Sequence, residues 1–159
     1  MGEHAEQHMS EALDERTRNE WRELGFFYKL DHKTKEWRLV GSRDGLLRFR
    51  DLLLDYVSDP RNEQPSEHDH FGPYWYLEVM TWPEAGFDDH AIRGSLDDLR
   101  RLAALVEIKL SSAQDGYRIS IRDEFAIDSP YELILDVRED SFDPAAADPM
   151  LTKDASLDM

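Results

Sequence analysis

The chain has 159 residues, a length that suits one domain, and 34% of them are charged. It contains no cysteine, which excludes disulfides, thiol catalysis and thiolate-bound zinc. No apolar run approaches the roughly 18 residues of a membrane span, and the N-terminus lacks the basic and apolar regions of a signal peptide. We therefore expect a cytoplasmic protein without membrane contacts.

The net charge of −16 is unevenly distributed. Residues 1–60 carry 10 basic and 13 acidic side chains, a net of −3, whereas residues 61–159 carry 9 and 22, a net of −13. Such a field repels nucleic acids and anionic membranes and favours basic partners. The alternative is that the acidic charge serves only solubility.

In the first half, residues 1–24 indicate an N-terminal helical extension that ends at Gly25. Two short apolar runs, 26–30 and 36–40, predict an antiparallel hairpin. Ser42 then suits a helix N-cap, and apolar residues at helical spacing continue to Val57.

In the second half, residues 58–73 are interpreted as a long loop, and 74–82 have the strongest strand pattern of the chain. A second helix starts after Ser95, and two alternating strands follow it. Residues 139–159 are acidic and aperiodic, which indicates a mostly disordered tail. The predicted organisation is an extension (1–24), a single α+β domain (25–138) and this tail.

The two main helices repeat each other. Gly41-Ser42 and Gly94-Ser95 are 53 residues apart, and at that offset Leu46 falls on Leu99 and Phe49 on Leu102. The repeat predicts pseudo-duplicated strand–Gly-Ser–helix–strand units, with the two helices on one face of a mostly antiparallel sheet. The other face would be solvated, bound to a partner or buried in a homodimer.

Alternation in the strand 74–82 separates two sets of side chains. One face would carry Tyr74, Tyr76, Glu78, Met80 and Trp82, and the other Trp75, Leu77, Val79 and Thr81. Aromatic side chains like those of the first set are typical of protein interfaces, unless the N-terminal helix buries them. The predicted partner contacts are Tyr74, Tyr76, Glu78, Trp82, Asp88, Asp89, Asp123 and Glu124.

Two histidines separated by one residue, His68 and His70, would point the same way on an extended segment and could hold one metal ion. His90 or Glu78 would supply a third ligand if the fold brought it close. The candidate metal ligands are therefore His68, His70 and His90. The alternative is a polar loop whose histidines cap the following strand.

Catalytic motifs are absent from the sequence. It has no Gly-x-Ser-x-Gly elbow, phosphate-binding loop or dinucleotide glycine pattern. The acidic group of Asp123, Glu124 and Asp128 falls in a turn, where solvation disfavours the split pKa values of an acid–base pair. We expect neither a cofactor nor an enzymatic activity.

The order of several short motifs resembles the polymorphic-toxin immunity proteins of bacteria, specifically immunity protein family 32, across residues 40–143. The motifs are Gly41-Ser42, Gly45-Leu46-Leu47, His68-Asp69-His70, Ile92-Arg93-Gly94-Ser95, Leu99, Leu102-Ala103, Tyr131-Glu132-Leu133 and Phe142-Asp143-Pro144. The resemblance implies a small α+β protein that neutralises a toxin by binding it. The alternatives are a metal-binding domain or metal-dependent enzyme, and a nucleic-acid mimic.

Overall fold

The computed structural model describes residues 2–151 and, within them, the side chains from residue 11 onward. It confirms an α+β fold with mostly antiparallel strand pairing and an N-terminal helix. The helices are α1 (Gly2–Leu24), α2 (Arg43–Ser58), α3 (Leu96–Ser111) and α4 (Arg122–Phe125), with 3-10 helices at Pro60–Glu63 and Pro144–Ala147. The strands are β1 (Phe27–Asp31), β2 (Glu36–Ser42), β3 (His68–Phe71), β4 (Leu77–Thr81), β5 (Gly86–Phe87), β6 (Ile92–Gly94), β7 (Arg118–Ser120) and β8 (Glu132–Arg138).

The strands divide between two four-stranded sheets, where the sequence indicated one. The first sheet has the order β1-β2-β8-β7 and the second β3-β4-β6-β5. In each sheet the outer pairs are antiparallel and the central pair is parallel. Helices α2 and α3 each follow a central strand of one sheet, β2 and β6 respectively.

The predicted repeat is present, and its two units are interwoven. Each unit consists of a hairpin, a helix and a second hairpin: β1–β2, α2 and β3–β4, then β5–β6, α3 and β7–β8. The second hairpin of each unit pairs with the first hairpin of the other, so that Gly41 lies opposite Val137 and Gly94 opposite Thr81. Since each sheet needs strands from both units, neither unit can form its sheet alone.

The core lies where α2 and α3 pack on each other and on the central strands. Phe49 and Leu53 of α2, and Leu102 and Val106 of α3, are fully buried. Burying each such side chain contributes about 1.5–3 kcal/mol. The apolar stripes seen in the sequence therefore form the contact between the two units.

Both serines are helix caps, as the sequence indicated. The hydroxyl of Ser42 accepts a hydrogen bond from the backbone N–H of Gly45 at 3.0 Å. Ser95 and Asp98 form a reciprocal capping box, with hydrogen bonds of 3.1 Å in each direction. These hydroxyls satisfy helix N-termini, which agrees with reading them as caps and not as nucleophiles.

The segment 58–73 contains more structure than the loop that the sequence predicted. It holds the 3-10 helix Pro60–Glu63 and the edge strand β3, which pairs with β4. Three of the four β3 residues are exposed and none of its first three residues is apolar, so no alternation marked it as a strand.

The prediction of a mostly disordered tail is wrong for residues 144–151. Ala145 and Leu151 are buried in the core cluster, and the carboxylate of Asp148 accepts a hydrogen bond from the indole N–H of Trp21 at 2.9 Å. Alanines and a buried aspartate fall outside the periodic patterns by which helices and strands are predicted. The packing of residues 144–151 on the core therefore had no signal in the sequence. Residues 152–159 of the predicted tail lie outside the described residues.

Replacing Gly45 with alanine is expected to lower the free energy of unfolding by about 2 kcal/mol. A glycine-to-alanine change inside a helix ordinarily stabilises it by up to about 1 kcal/mol. Here the added methyl group would collide with the backbone oxygen of Gly25, which cannot move as a side chain could. Urea unfolding measures this loss. The control is Asp44→Ala at the exposed neighbouring position, which should change the free energy of unfolding by about 1 kcal/mol or less. A gain of stability in Gly45→Ala would contradict the close approach.

Candidate binding groove and histidine cluster

An exposed aromatic pair, Trp75 and Tyr76, lies in the turn before β4. Each side chain is 69% exposed. The sequence placed Trp75 on the same strand face as Leu77, but β4 begins only at Leu77 and Trp75 has a φ of 60°. The chain turns at Gly72, whose carbonyl accepts a hydrogen bond from the N–H of Trp75 at 3.4 Å, so Trp75 is not part of the strand. A tryptophan in the left-handed region is strained, so surrounding contacts must hold it there.

Two side chains hold the turn in place. The hydroxyl of the buried Tyr28 donates to the carbonyl of Phe71 at 2.9 Å and accepts from the N–H of Tyr76 at 3.3 Å. The ring of His70 stacks on the indole of Trp75, with centroids 6.4 Å apart and an interplanar angle of 16°. Burial raises the pKa of Tyr28, which keeps the phenol neutral and able to donate.

A groove of about 740 Å³ opens beside this turn. It runs between α1, β1, β4 and the segment 148–150. Its lining consists of Trp21, Phe27, Tyr28, Lys29, Leu30, His32, His70, Tyr74, Trp75, Tyr76, Glu78, Asp89, His90, Asp148, Pro149 and Met150. Aromatic and other apolar side chains with a few polar groups among them are typical of binding sites.

Four of the predicted partner contacts, Tyr74, Tyr76, Glu78 and Asp89, line this groove. Tyr74 is only half-buried, and its hydroxyl donates to Asp148 at 2.6 Å. Burial, together with this carboxylate, raises the pKa of Tyr74. The phenol is therefore a fixed part of the groove wall that holds its proton at neutral pH.

The other four predicted contacts do not line the groove. Trp82 follows β4 and is 39% exposed. Asp88 closes its own loop, because its carboxylate accepts from the backbone N–H groups of His90 and Ala91 and from Arg93. Burial acts to raise the pKa of Asp88, but these donors outweigh it and hold that pKa below its ordinary value. Asp123 and Glu124 lie on α4, where Glu124 pairs with Lys109.

The structure brings His68, His70 and Glu78 together on the antiparallel pair of β3 and β4. His70 lies opposite Glu78 in the register. The Nε2 atoms of His68 and His70 are each 3.8 Å from Oε1 of Glu78, and one ligand atom from each residue lies within 4.8 Å of the others. We call these three residues the histidine cluster. His90 also lines the groove, but it lies outside the cluster, with its Nε2 3.9 Å from Asp89.

A second concavity, of about 310 Å³, is lined by many acidic side chains. Its acidic residues are Glu23, Asp51, Asp55, Asp59 and Asp69, and Arg48 is the basic residue among its lining. We call it the acidic cavity. A small depression that contains Glu23 and Trp75 lies against both the acidic cavity and the groove, since it shares one of these residues with each.

The acidic cavity was not among the sites that the sequence predicted. Asp51, Asp55 and Asp59 follow one another at a spacing of four residues, which places them along one side of α2 and its C-cap. That spacing was the available signal. Asp69 joins them only through the fold, because it lies on β3.

Comparisons with known proteins found no matching family model, no matching curated protein and no matching solved structure. Among the described residues, no helix has both the length and the apolar character that crossing a membrane requires. The site must therefore be interpreted from its own geometry and charge.

Proposed function

We propose that this chain is a non-catalytic binding protein that neutralises a basic protein partner. The partner would contact the turn of Trp75 and Tyr76, the groove on one side of it and the acidic cavity on the other. The observation that carries the proposal is the exposed Trp75, held in a strained conformation between the two concavities. An immunity-type role against a bacterial toxin, which the sequence resemblance implies, is the specific form of this proposal.

The aromatic turn has the properties of an interface anchor. Trp and Tyr are enriched among the residues that dominate binding energy, and truncating such a residue weakens binding by about 2 kcal/mol or more. Their exposure in the free protein leaves apolar area that a partner would cover. Because Tyr28 and His70 hold the turn, little conformational entropy would be lost on binding.

The charge supports a basic partner. Five carboxylates line the acidic cavity, in a chain whose net charge is −16. Like charges four residues apart on a helix cost about 0.2–0.5 kcal/mol for each pair. Arg50 already donates to Asp51 at 2.9 Å, and a cationic side chain of a partner between Asp51 and Asp55 would reduce the remaining repulsion. Complementary charge of this kind raises association rates and makes them sensitive to salt.

Affinity capture from the source organism tests the proposal. The wild-type chain is expected to retain a basic protein at low salt and to release more of it as salt rises, because the Debye length falls to about 10 Å at 0.1 M. The double variant Trp75→Ala/Tyr76→Ala should weaken the purified complex by about 30-fold or more, which corresponds to the loss of one interface anchor.

The matched control is Tyr117→Ala, which removes an exposed aromatic residue that does not line the groove. It should bind the partner as the wild type does. The proposal would be abandoned if no partner were retained at low salt, or if the double variant bound as tightly as Tyr117→Ala. Asp51→Asn/Asp55→Asn should reduce the salt dependence of association, since it removes two charges from the acidic cavity.

A further inference from the structure

We propose that the histidine cluster, His68, His70 and Glu78, binds a single Zn²⁺ ion and leaves one coordination position open. Two imidazoles and one carboxylate are a known donor set for zinc with an exchangeable fourth ligand. The site shares His70 and Glu78 with the groove, but it would bind the ion in the free protein, without the proposed partner.

The hydrogen bonds of the two imidazoles prepare them for a metal ion. The Nδ1 atoms of His68 and His70 lie 2.9 Å from the carbonyl oxygens of Ser66 and Trp75 respectively. A carbonyl oxygen only accepts, so each Nδ1 carries the proton and donates it. In the neutral imidazole this leaves the lone pair on Nε2, the atom that faces Glu78. Metal-bound histidines in proteins almost always have such a partner on the other ring nitrogen.

The backbone is strained at both carbonyls that fix the imidazoles. Ser66 has a φ of 76° and Trp75 a φ of 60°, and the one other non-glycine residue with positive φ in the described range is Lys35. Such conformations cost about 1–3 kcal/mol each and cluster at functional sites. Backbone hydrogen bonds hold Ser66, whose N–H donates to Thr81, and Glu67, whose carbonyl accepts from Thr81. The strain thus coincides with the two atoms that orient the ligands.

The distances suit a four-coordinate ion after small side-chain movements. Zinc–nitrogen bonds of about 2.0–2.1 Å in a tetrahedron place neighbouring ligand atoms about 3.3 Å apart. The two Nε2–Oε1 distances of 3.8 Å exceed this by about half an ångström, and all three ligand atoms lie within 4.8 Å of one another. His68 and His70 are exposed on the edge strand β3, so their rings can rotate to close the gap without disturbing the core.

The fourth position would be open to water or an added ligand. His70 and Glu78 both line the groove, so the ion would lie at its edge, within reach of a molecule bound there. Sites with three protein ligands and one exchangeable ligand are the kind that polarise water or bind anions, whereas structural zinc sites have four protein ligands. An ion bound by the histidine cluster would therefore be accessible to molecules in the groove.

Isothermal titration of the metal-free chain with Zn²⁺ tests the site. We expect one ion bound by the wild type at the cluster, and visible d–d absorption of a tetrahedral kind when Co²⁺ replaces it. His68→Ala, His70→Ala and Glu78→Gln should each weaken Zn²⁺ binding by at least about tenfold. Far-UV circular dichroism should show that the variants are folded, because the three side chains lie at the surface of β3 and β4.

His90→Ala is the matched control, since it removes a groove histidine outside the cluster. It should bind Zn²⁺ with the wild-type affinity. The proposal is overturned if the wild type binds no Zn²⁺ under these conditions. It is also overturned if the folded double variant His68→Ala/His70→Ala retains the wild-type affinity, which would mean that the ion binds elsewhere.

Discussion

The variant Trp37→Ala is expected to lose about 3–5 kcal/mol of unfolding free energy. Trp37 lies on β2, is fully buried, and donates from its indole N–H to the carbonyl of Asp88 at 2.8 Å. Asp88 follows β5, so this side chain connects the two sheets. Its removal would leave a large cavity and a carbonyl without its donor. Domains of this size have a total stability of about 5–15 kcal/mol, so the variant should be near its unfolding threshold.

Denaturant unfolding followed by far-UV circular dichroism measures this loss without relying on tryptophan fluorescence. Trp82→Ala is the matched control, because it also removes a tryptophan side chain, but one that is 39% exposed. It should change the stability by about 1 kcal/mol or less. Equal losses in the two variants would show that Trp37 does not connect the sheets in the way described.

Asp148→Ala is expected to lower the unfolding free energy by about 3 kcal/mol. The carboxylate is 1% exposed and accepts hydrogen bonds from the indole of Trp21, the hydroxyl of Tyr74 and the N–H of Met150. Its removal would leave the buried indole N–H of Trp21 without an acceptor, along with two part-buried donors, and a buried donor left unpaired costs more than its hydrogen bond contributes. Because Trp21 is on α1, we also expect faster amide hydrogen exchange along the last turns of that helix.

Two controls separate this buried contact from the exposed one beside it. Arg22→Ala removes the ion pair between Arg22 and Asp143, whose charged groups are 3.1 Å apart and largely solvated, and should cost about 1 kcal/mol or less. Asp148→Asn keeps one acceptor oxygen and should lose about half as much as Asp148→Ala. If Asp148→Ala were no worse than Arg22→Ala, the segment 148–150 would not be anchored by this carboxylate.

Asp148 also links stability to the proposed function. The hydrogen bond from Tyr74 fixes one wall of the groove, and the segment 148–150 forms another. A variant that releases this segment should weaken partner binding even though Trp75 and Tyr76 are intact. The histidine cluster is held by β3 and β4, so Zn²⁺ binding should persist in a folded Asp148→Asn protein. The wall formed by the segment 148–150 can therefore be disturbed without disturbing the histidine cluster.

The helices and their caps could be read from the sequence because they are local. The side chain of Ser42 reaches a donor three residues away, and the apolar stripe of α2 has the period of the helix itself. The Gly-Ser repeat likewise revealed two related units. The alternation within β4 was also predicted, since Leu77, Val79 and Thr81 are buried while Glu78 and Met80 between them are half-buried.

Which strands pair with each other was decided only by the tertiary structure. No local pattern in β2 selects β8, 90 or more residues away, over the hairpin that follows α2. The exchange of hairpins between the units accompanies the packing of α2 against α3. The prediction for Trp75 was wrong for a similar reason, because Tyr28, from a distant strand, holds the turn in which Trp75 lies.

By itself, the sequence determined an acidic, cysteine-free α+β chain of two related units, and it singled out His68 and His70 as a pair. The fold decided that Glu78 and not His90 completes the cluster, because antiparallel pairing places His70 opposite Glu78. It also decided that Trp75 faces solvent between the groove and the acidic cavity, while Asp88 closes its own loop. These outcomes depend on contacts between residues far apart in the chain, and a pattern within a few residues carries no information about them.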